Sequence, residues 1–169
     1  MELPKRKPQR LKDYDYSQSN AYFITICTRN RCSLLGKTVG NDAHIVPSFI
    51  ELSEYGNIAD EHINNINTLY GATIIDKYII MPNHIHLIII LADMMKNGTM
   101  KASFPTNARI PSIIRSFKIL VSKKCGEPIW QKSFHDHIIR NEDEYHRIWQ
   151  YIDKNPMKWS EDKYYCGKD

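Results

Sequence analysis

His84 and His86 flank one apolar residue at the head of the chain's strongest apolar run, Ile85 to Leu91. Side chains alternate along a strand, so both imidazoles face the same side. A neutral imidazole is a metal ligand, and histidine is largely neutral at physiological pH. Two on one strand face can therefore grip one ion. A pair of hydrogen-bonded polar residues at a strand end would have the same spacing, so the motif alone leaves both readings open. A second His-x-His, His135 and His137 around Asp136, is a competing site.

The other residue type suited to chemistry here is a tyrosine. Tyr145, Ile148, Trp149 and Ile152 recur at i, i+3, i+4 and i+7, the stripe of a helix packed on a core. That helix is predicted over residues 142–154, with Asn141 as its cap, Glu144 in the capping-box position and Pro156 beyond its end. At about 100° per residue, Tyr151 stands about 100° from the middle of the stripe. It shares that flank with Arg147 and, one turn on, Asn155. Core packing does not account for a tyrosine there, although an amphipathic tyrosine at the core's edge would fit the same position.

These residues need elements to hold them. Residues 21–28 are β-branched and aromatic and predict a buried strand. Residues 43–51 predict a weaker strand, with Pro47 arguing for an edge position or a bulge. Ser53 is a plausible cap for one helix to Tyr70, with Ile58, Ile63, Ile66 and Leu69 near helical spacing and Gly71 as its stop. Residues 73–80 and 84–91 form a hairpin around Met81-Pro82-Asn83. The second of these strands is apolar on both faces beyond the histidines, so it is central in its sheet. Residues 92–107 lack any period and predict a mobile loop. An amphipathic helix follows over 110–124, with Ile110, Ile113, Ile114, Phe117, Leu120 and Val121 as its apolar stripe. Residues 133–140 predict a short strand carrying His135 and His137.

The 169 residues suit one domain. No apolar run is long enough to span a bilayer, and the first residues lack the apolar core of a secretory signal. The four cysteines form no CxxC pair, which speaks against a zinc knuckle and for a reducing cytoplasm. The whole net charge of +4 sits in residues 1–12, which hold five basic side chains against one acidic, and the remainder is balanced. A basic, proline-containing arm on a neutral body suits phosphate contacts, and a solubilising tail has the same composition.

Three stretches together, YIIMPNHIHLIII, IPSIIRSFK and IWQKSFHDHIIRNEDEYHRIWQYIDKNP, resemble the REP-associated tyrosine transposases, a branch of the single-tyrosine HUH transposases. The lead-in RKPQRLKDYDYSQSNAYFITICTRNR is similar to that family's N-terminus, so the resemblance runs from about Arg6 to Trp159. It implies an α+β fold: a ferredoxin-like core with an antiparallel β-sheet and helices packed on it. It divides the chain into a basic arm and lead-in (1–20), one HUH transposase domain (21–159) and a C-terminal tail (160–169). By the same resemblance Tyr151 of the YIxxNP motif is the nucleophile. His84 and His86 hold the metal, Mg²⁺ or Mn²⁺, and Asn155 completes its site. Ile85 is the hydrophobic residue between the two histidines. His135 and His137 become structural or DNA-facing.

The activity so implied is metal-dependent cleavage and rejoining of single-stranded or hairpin DNA, such as repetitive palindromic elements, through a covalent 5′-phosphotyrosine. The resemblance extends to DNA recombination, a nucleoid-associated cytoplasmic location and a monomer or homodimer. Backbone phosphates would be held by Lys5, Arg6, Lys7 and Arg10 of the arm and by Arg115 and Lys118 of the second long helix. Rival readings are a DNA-binding protein of this fold without the chemistry, a metal hydrolase using all four histidines, and a sheet-based RNA-binding module. The hydrolase predicts no role for Tyr151, and the RNA-binding module would not require the histidine pair.

Overall fold

The fold is built around a hairpin whose second strand is apolar on both faces. The structure, a computed structural model, describes residues 18–40, 49–92 and 109–166. The hairpin is β4 (Thr73–Met81) and β5 (His84–Leu91), joined by the two residues Pro82 and Asn83. On its other side β5 pairs antiparallel with β1 (Asn20–Cys27), and β1 pairs with β6 (His135–Ile139). The sheet order is β4-β5-β1-β6, all antiparallel. Two helices complete the βαββαβ pattern: α1 (Glu54–Asn64) between β1 and β4, and α3 (Arg109–Cys125) between β5 and β6. That is the ferredoxin-like arrangement.

The alternation along each strand sorts the core into two layers. Tyr22, Ile24 and Ile26 of β1 and Ile85, Leu87 and Ile89 of β5 face α1 and α3, meeting Ala59, Ile63, Ile110, Ile114, Phe117 and Val121. The opposite face presents Ile88 and Ile139 to Ile152 of α4 (Glu142–Lys154). His84, His86 and Thr25 belong to this second face by the same parity. Helix α4 is clipped to β4 at a bulge between Ile75 and Lys77. Tyr145 Oη donates to Asp76 Oδ2 at 2.5 Å, and Lys77 Nζ meets Asp153 Oδ1 at 2.6 Å.

The sequence expectations are corrected in several places. The helix predicted to Tyr70 breaks at Asn65 into α1 and a single turn, α2 (Ile66–Leu69), leaving Leu69 61% exposed. Asn65 and its neighbour Asn64 are poor helix formers. The cap is as expected: Ser53 Oγ accepts from Gly56 N at 3.1 Å. Of the strand over 43–51, residues 43–48 lie outside the described residues; the rest falls in β3 (Phe49–Leu52). This pairs with an unpredicted strand, β2 (Gly36–Val39), in a separate two-stranded sheet. Gly36 lies so close to Glu51 O that a Cβ there would sit 2.6 Å from it, which is why a residue without a side chain suits this hairpin. Leu120 and Trp149, which the helical stripes predict to be core, are exposed. Lys77 Nζ caps the Trp149 ring at 3.9 Å from its centroid. The loop over 92–107 and the basic arm lie almost wholly outside the described residues. No helix among the described residues is long and apolar enough to cross a membrane.

Candidate metal and tyrosine site

The open end of β5 brings the two histidines to full burial. Asn83, also fully buried in the turn before them, fixes the first. Its Nδ2 donates to the carbonyls of Tyr164 (2.8 Å) and Arg31 (3.2 Å), so its Oδ1 faces His84 Nδ1 at 2.9 Å. An amide oxygen only accepts, so His84 Nδ1 carries the proton and, in the neutral ring, Nε2 is a bare lone pair. That lone pair lies 3.0 Å from His86 Nε2, while His86 Nδ1 bonds Thr25 Oγ1 at 2.8 Å. Burial drives His84 down to about 4, and burial together with the nearby His84 holds His86 well below the usual imidazole range. Both rings are neutral at pH 7, with their ligand nitrogens turned toward each other.

Helix α4 delivers Tyr151 to the same spot. Its capping is as the sequence suggests, with Asn141 Oδ1 accepting from Glu144 N at 2.8 Å. The Glu144 carboxylate, however, takes the N–H of Arg140 at 2.8 Å, one residue before the cap. Tyr151 Oη stands 3.2 Å from His86 Nε2 and 2.9 Å from Asp162 Oδ2, so its single proton is shared between two acceptors. Burial first, and then the hydrogen bond to Asp162, push its pKa up. One turn on, Asn155 Nδ2 donates to Asp162 Oδ2 at 3.0 Å. Asn155 Oδ1 is buried and has no partner.

A cation fits this arrangement. His84, His86 and Asp162 each offer a ligand atom, all within 4.8 Å of one another. Donors around one six-coordinate cation lie about 3 to 4 Å apart. Asn155 Oδ1 is a buried acceptor that lacks a donor, which is what a positive charge supplies. Two imidazole nitrogens with carboxylate and amide oxygens are a donor set for a divalent cation.

Asp162 was missed by sequence reasoning, which treated residues 160–169 as a tail. The chain instead returns through a 3-10 stretch, Pro156–Glu161. Trp159 and Tyr164 are then buried, the Tyr164 ring lying 4.6 Å from that of His84. The aromatic density of WSEDKYY was the available signal, since a solvated tail does not need three large rings.

The other predicted residues lie elsewhere. His135 and His137 are exposed on the edge strand β6, and His137 Nε2 bonds Glu144 Oε1 at 2.7 Å. They do not join His84 and His86, so a four-histidine metal centre is not formed. Arg115 and Lys118 lie on α3, across the sheet from the histidines. The Lys118 ammonium donates to the carbonyls of Gln131, Lys132 and Ser133, tying down the segment before β6. Lys5, Arg6, Lys7 and Arg10 lie outside the described residues.

No protein-family model matches the chain. An uncharacterized protein of Haemophilus influenzae is 34% identical over 174 residues, spanning 95% of this chain and 93% of that protein. Among solved structures, a REP-associated tyrosine transposase bound to a REP hairpin aligns with a TM-score of 0.61 at 22% identity. The alignment covers 91% of this chain and 76% of that one. The latter likeness is one of fold.

Proposed function

We propose, for a chain that belongs to one family with the Haemophilus influenzae protein and has the fold of the REP-associated tyrosine transposase, that it cleaves and rejoins single-stranded or hairpin DNA through Tyr151. The observation that carries this is the 3.2 Å approach of Tyr151 Oη to an imidazole nitrogen of the paired histidines. A DNA-binding protein without chemistry needs no phenol there, and a hydrolase would use water. Tyr151 is also 39% exposed, so a phosphate can approach it from solvent. The hairpin on the fold relative makes DNA hairpins the first substrates to try.

The residues divide the work. Tyr151 Oη forms a bond to phosphorus as the P–O3′ bond breaks, leaving a 5′-phosphotyrosine and a 3′-hydroxyl. The phenol proton leaves along its existing hydrogen bond to the Asp162 carboxylate, and the 3′ oxygen takes up a proton. A divalent cation, Mg²⁺ or Mn²⁺, held by His84, His86, Asp162 and Asn155 would polarise the phosphate and offset the charge that keeps the phenol protonated. The phosphotyrosine conserves the phosphodiester, so a 3′-hydroxyl can reverse the step and seal a strand without ATP. Asn83 and Thr25 hold the imidazoles in one orientation, and the clips from Asp76 and Lys77 hold α4 against the sheet.

The test is to incubate the protein with end-labelled hairpin DNA and Mn²⁺, then look for a protein–DNA adduct under denaturing conditions. The wild type forms the adduct and Tyr151→Phe does not, while DNA binding survives the substitution. An adduct of equal yield in Tyr151→Phe would move the nucleophile elsewhere.

A further inference from the structure

Two of the sequence stretches singled out above, IPSIIRSFK and IWQKSF, take no part in the chemistry of Tyr151. The first belongs to α3 and the second leads into β6, and both pack on the face of the sheet opposite α4. A cleft of about 640 Å³ opens between them. Helix α3 is apolar on its core stripe and again on this second flank. Pro111 and Ile119 line the cleft from it, and Ile119 is 55% exposed.

The cleft is cationic and already held in shape. The Lys118 ammonium, spent on three carbonyls of the facing segment, ties one wall to the other. Arg115 and Lys132 are exposed lining residues, and neither side chain has an acidic partner among the described residues. No carboxylate is among the lining residues described. Trp130 also lines the cleft, and its buried indole Nε1 has no acceptor.

The exposure of these groups selects the kind of partner. Nucleic acid strands bind such grooves by stacking bases on open aromatic faces. Here the rings are closed: Trp130 and Phe134 are each 8% exposed, and Trp130 packs against Phe117 at 5.7 Å between centroids. The accessible carbon is aliphatic. An aliphatic rim between two unpaired cations complements an apolar side chain set between carboxylates. We infer that this cleft docks an acidic peptide segment of a partner protein, with an aliphatic side chain against Ile119 and Pro111 and carboxylates on Arg115 and Lys132. It turns Arg115 from a DNA phosphate toward a protein carboxylate. The inference does not rest on the proposed function, since the cleft lies across the sheet from Tyr151, and a docked partner leaves the phenol open to DNA.

The test starts from the full chain, immobilised and offered a random peptide library displayed on phage. The selected sequences carry Leu, Ile or Met between Asp and Glu. Fluorescence anisotropy with a labelled synthetic copy of one such peptide then reads the site. Ile119→Ser weakens its binding about tenfold, as the loss of one interface anchor does. Arg115→Glu with Lys132→Glu weakens it at least about tenfold, and a copy with each acid replaced by Lys prefers this double variant to the wild type. Matching thermal melts show that the variants fold. Selection of no acidic, aliphatic sequence, or equal binding of the selected peptide to every variant, overturns the inference. A single-stranded oligonucleotide that displaces the peptide and is weakened as much by Ile119→Ser overturns it too, and gives the cleft to nucleic acid. Adduct formation is read separately: Ile119→Ser leaves its yield unchanged, and a wild type that forms no adduct sinks the proposed function while the peptide result stands.

Discussion

Two His-x-His pairs lie on the same face of the same sheet, two strands apart, and only one is built to hold a cation. His84 and His86 are fully buried on the central strand β5. Each has one nitrogen fixed by a buried partner, Asn83 or Thr25, and the other turned inward. His135 and His137 are exposed on the edge strand β6, and His137 is spent on Glu144 of the α4 cap. The motif is identical. What differs is depth in the sheet and what stands behind each ring. A buried, oriented imidazole loses its proton and its freedom together, and both losses favour a metal over water.

The largest effect that would break this comparison comes from exchanging the pairs' importance. His84→Ala is expected to weaken Mn²⁺ binding by more than the 10–100-fold typical of losing an orienting partner, and to abolish adduct formation. His135→Ala and His137→Ala should leave Mn²⁺ affinity within about twofold. Titration calorimetry with Mn²⁺ decides this. Equal losses from both pairs would mean that burial does not separate them.

A smaller effect sharpens the same contrast at the supporting residues. Asn83→Ala strips a buried histidine and two carbonyls of their partner, a cost of about 2–4 kcal/mol, with a 10–100-fold loss of metal affinity. Glu144→Ala, behind the exposed pair, should shift the melting temperature several-fold less and leave metal affinity alone. Thermal melts with and without Mn²⁺ separate the two.

The smallest effect is in pH. Both buried rings take protons less readily folded than unfolded, so the unfolded chain binds more protons between about pH 6.5 and 4. Metal-free stability should therefore be full above pH 6.5 and fall as the pH drops through that window, by up to about 1.4 kcal/mol per unit for each ring. His135→Ala should leave the slope unchanged. A flat profile between pH 7 and 4 would show that the rings are not held neutral by the fold.

The contrast also shows what a sequence carries. The hairpin, the central position of β5 and the flank shared by Tyr151 and Asn155 were legible because they depend on period and turn chemistry, which are local. The choice between the two histidine pairs was not, since both alternate identically and only the strand order buries one of them. Asp162 was illegible for the same reason. Its place beside Tyr151 is set by a 3-10 stretch after Pro156 and by the burial of Trp159 and Tyr164, none of which leaves a periodic trace. Helix α4 was read with the right ends but too wide a core stripe. Only Ile152 is fully buried, because Lys77 reaches over Trp149 and leaves that ring at the surface.

The central claim is that the phenol beside the buried pair is the group that becomes covalently joined to DNA. Mass spectrometry of the digested adduct addresses it directly. The account predicts a nucleotide phosphate on the peptide that holds Tyr151. A phosphate on Tyr164 or any other residue, or DNA cut by this protein with no covalent product at any time point, would contradict it.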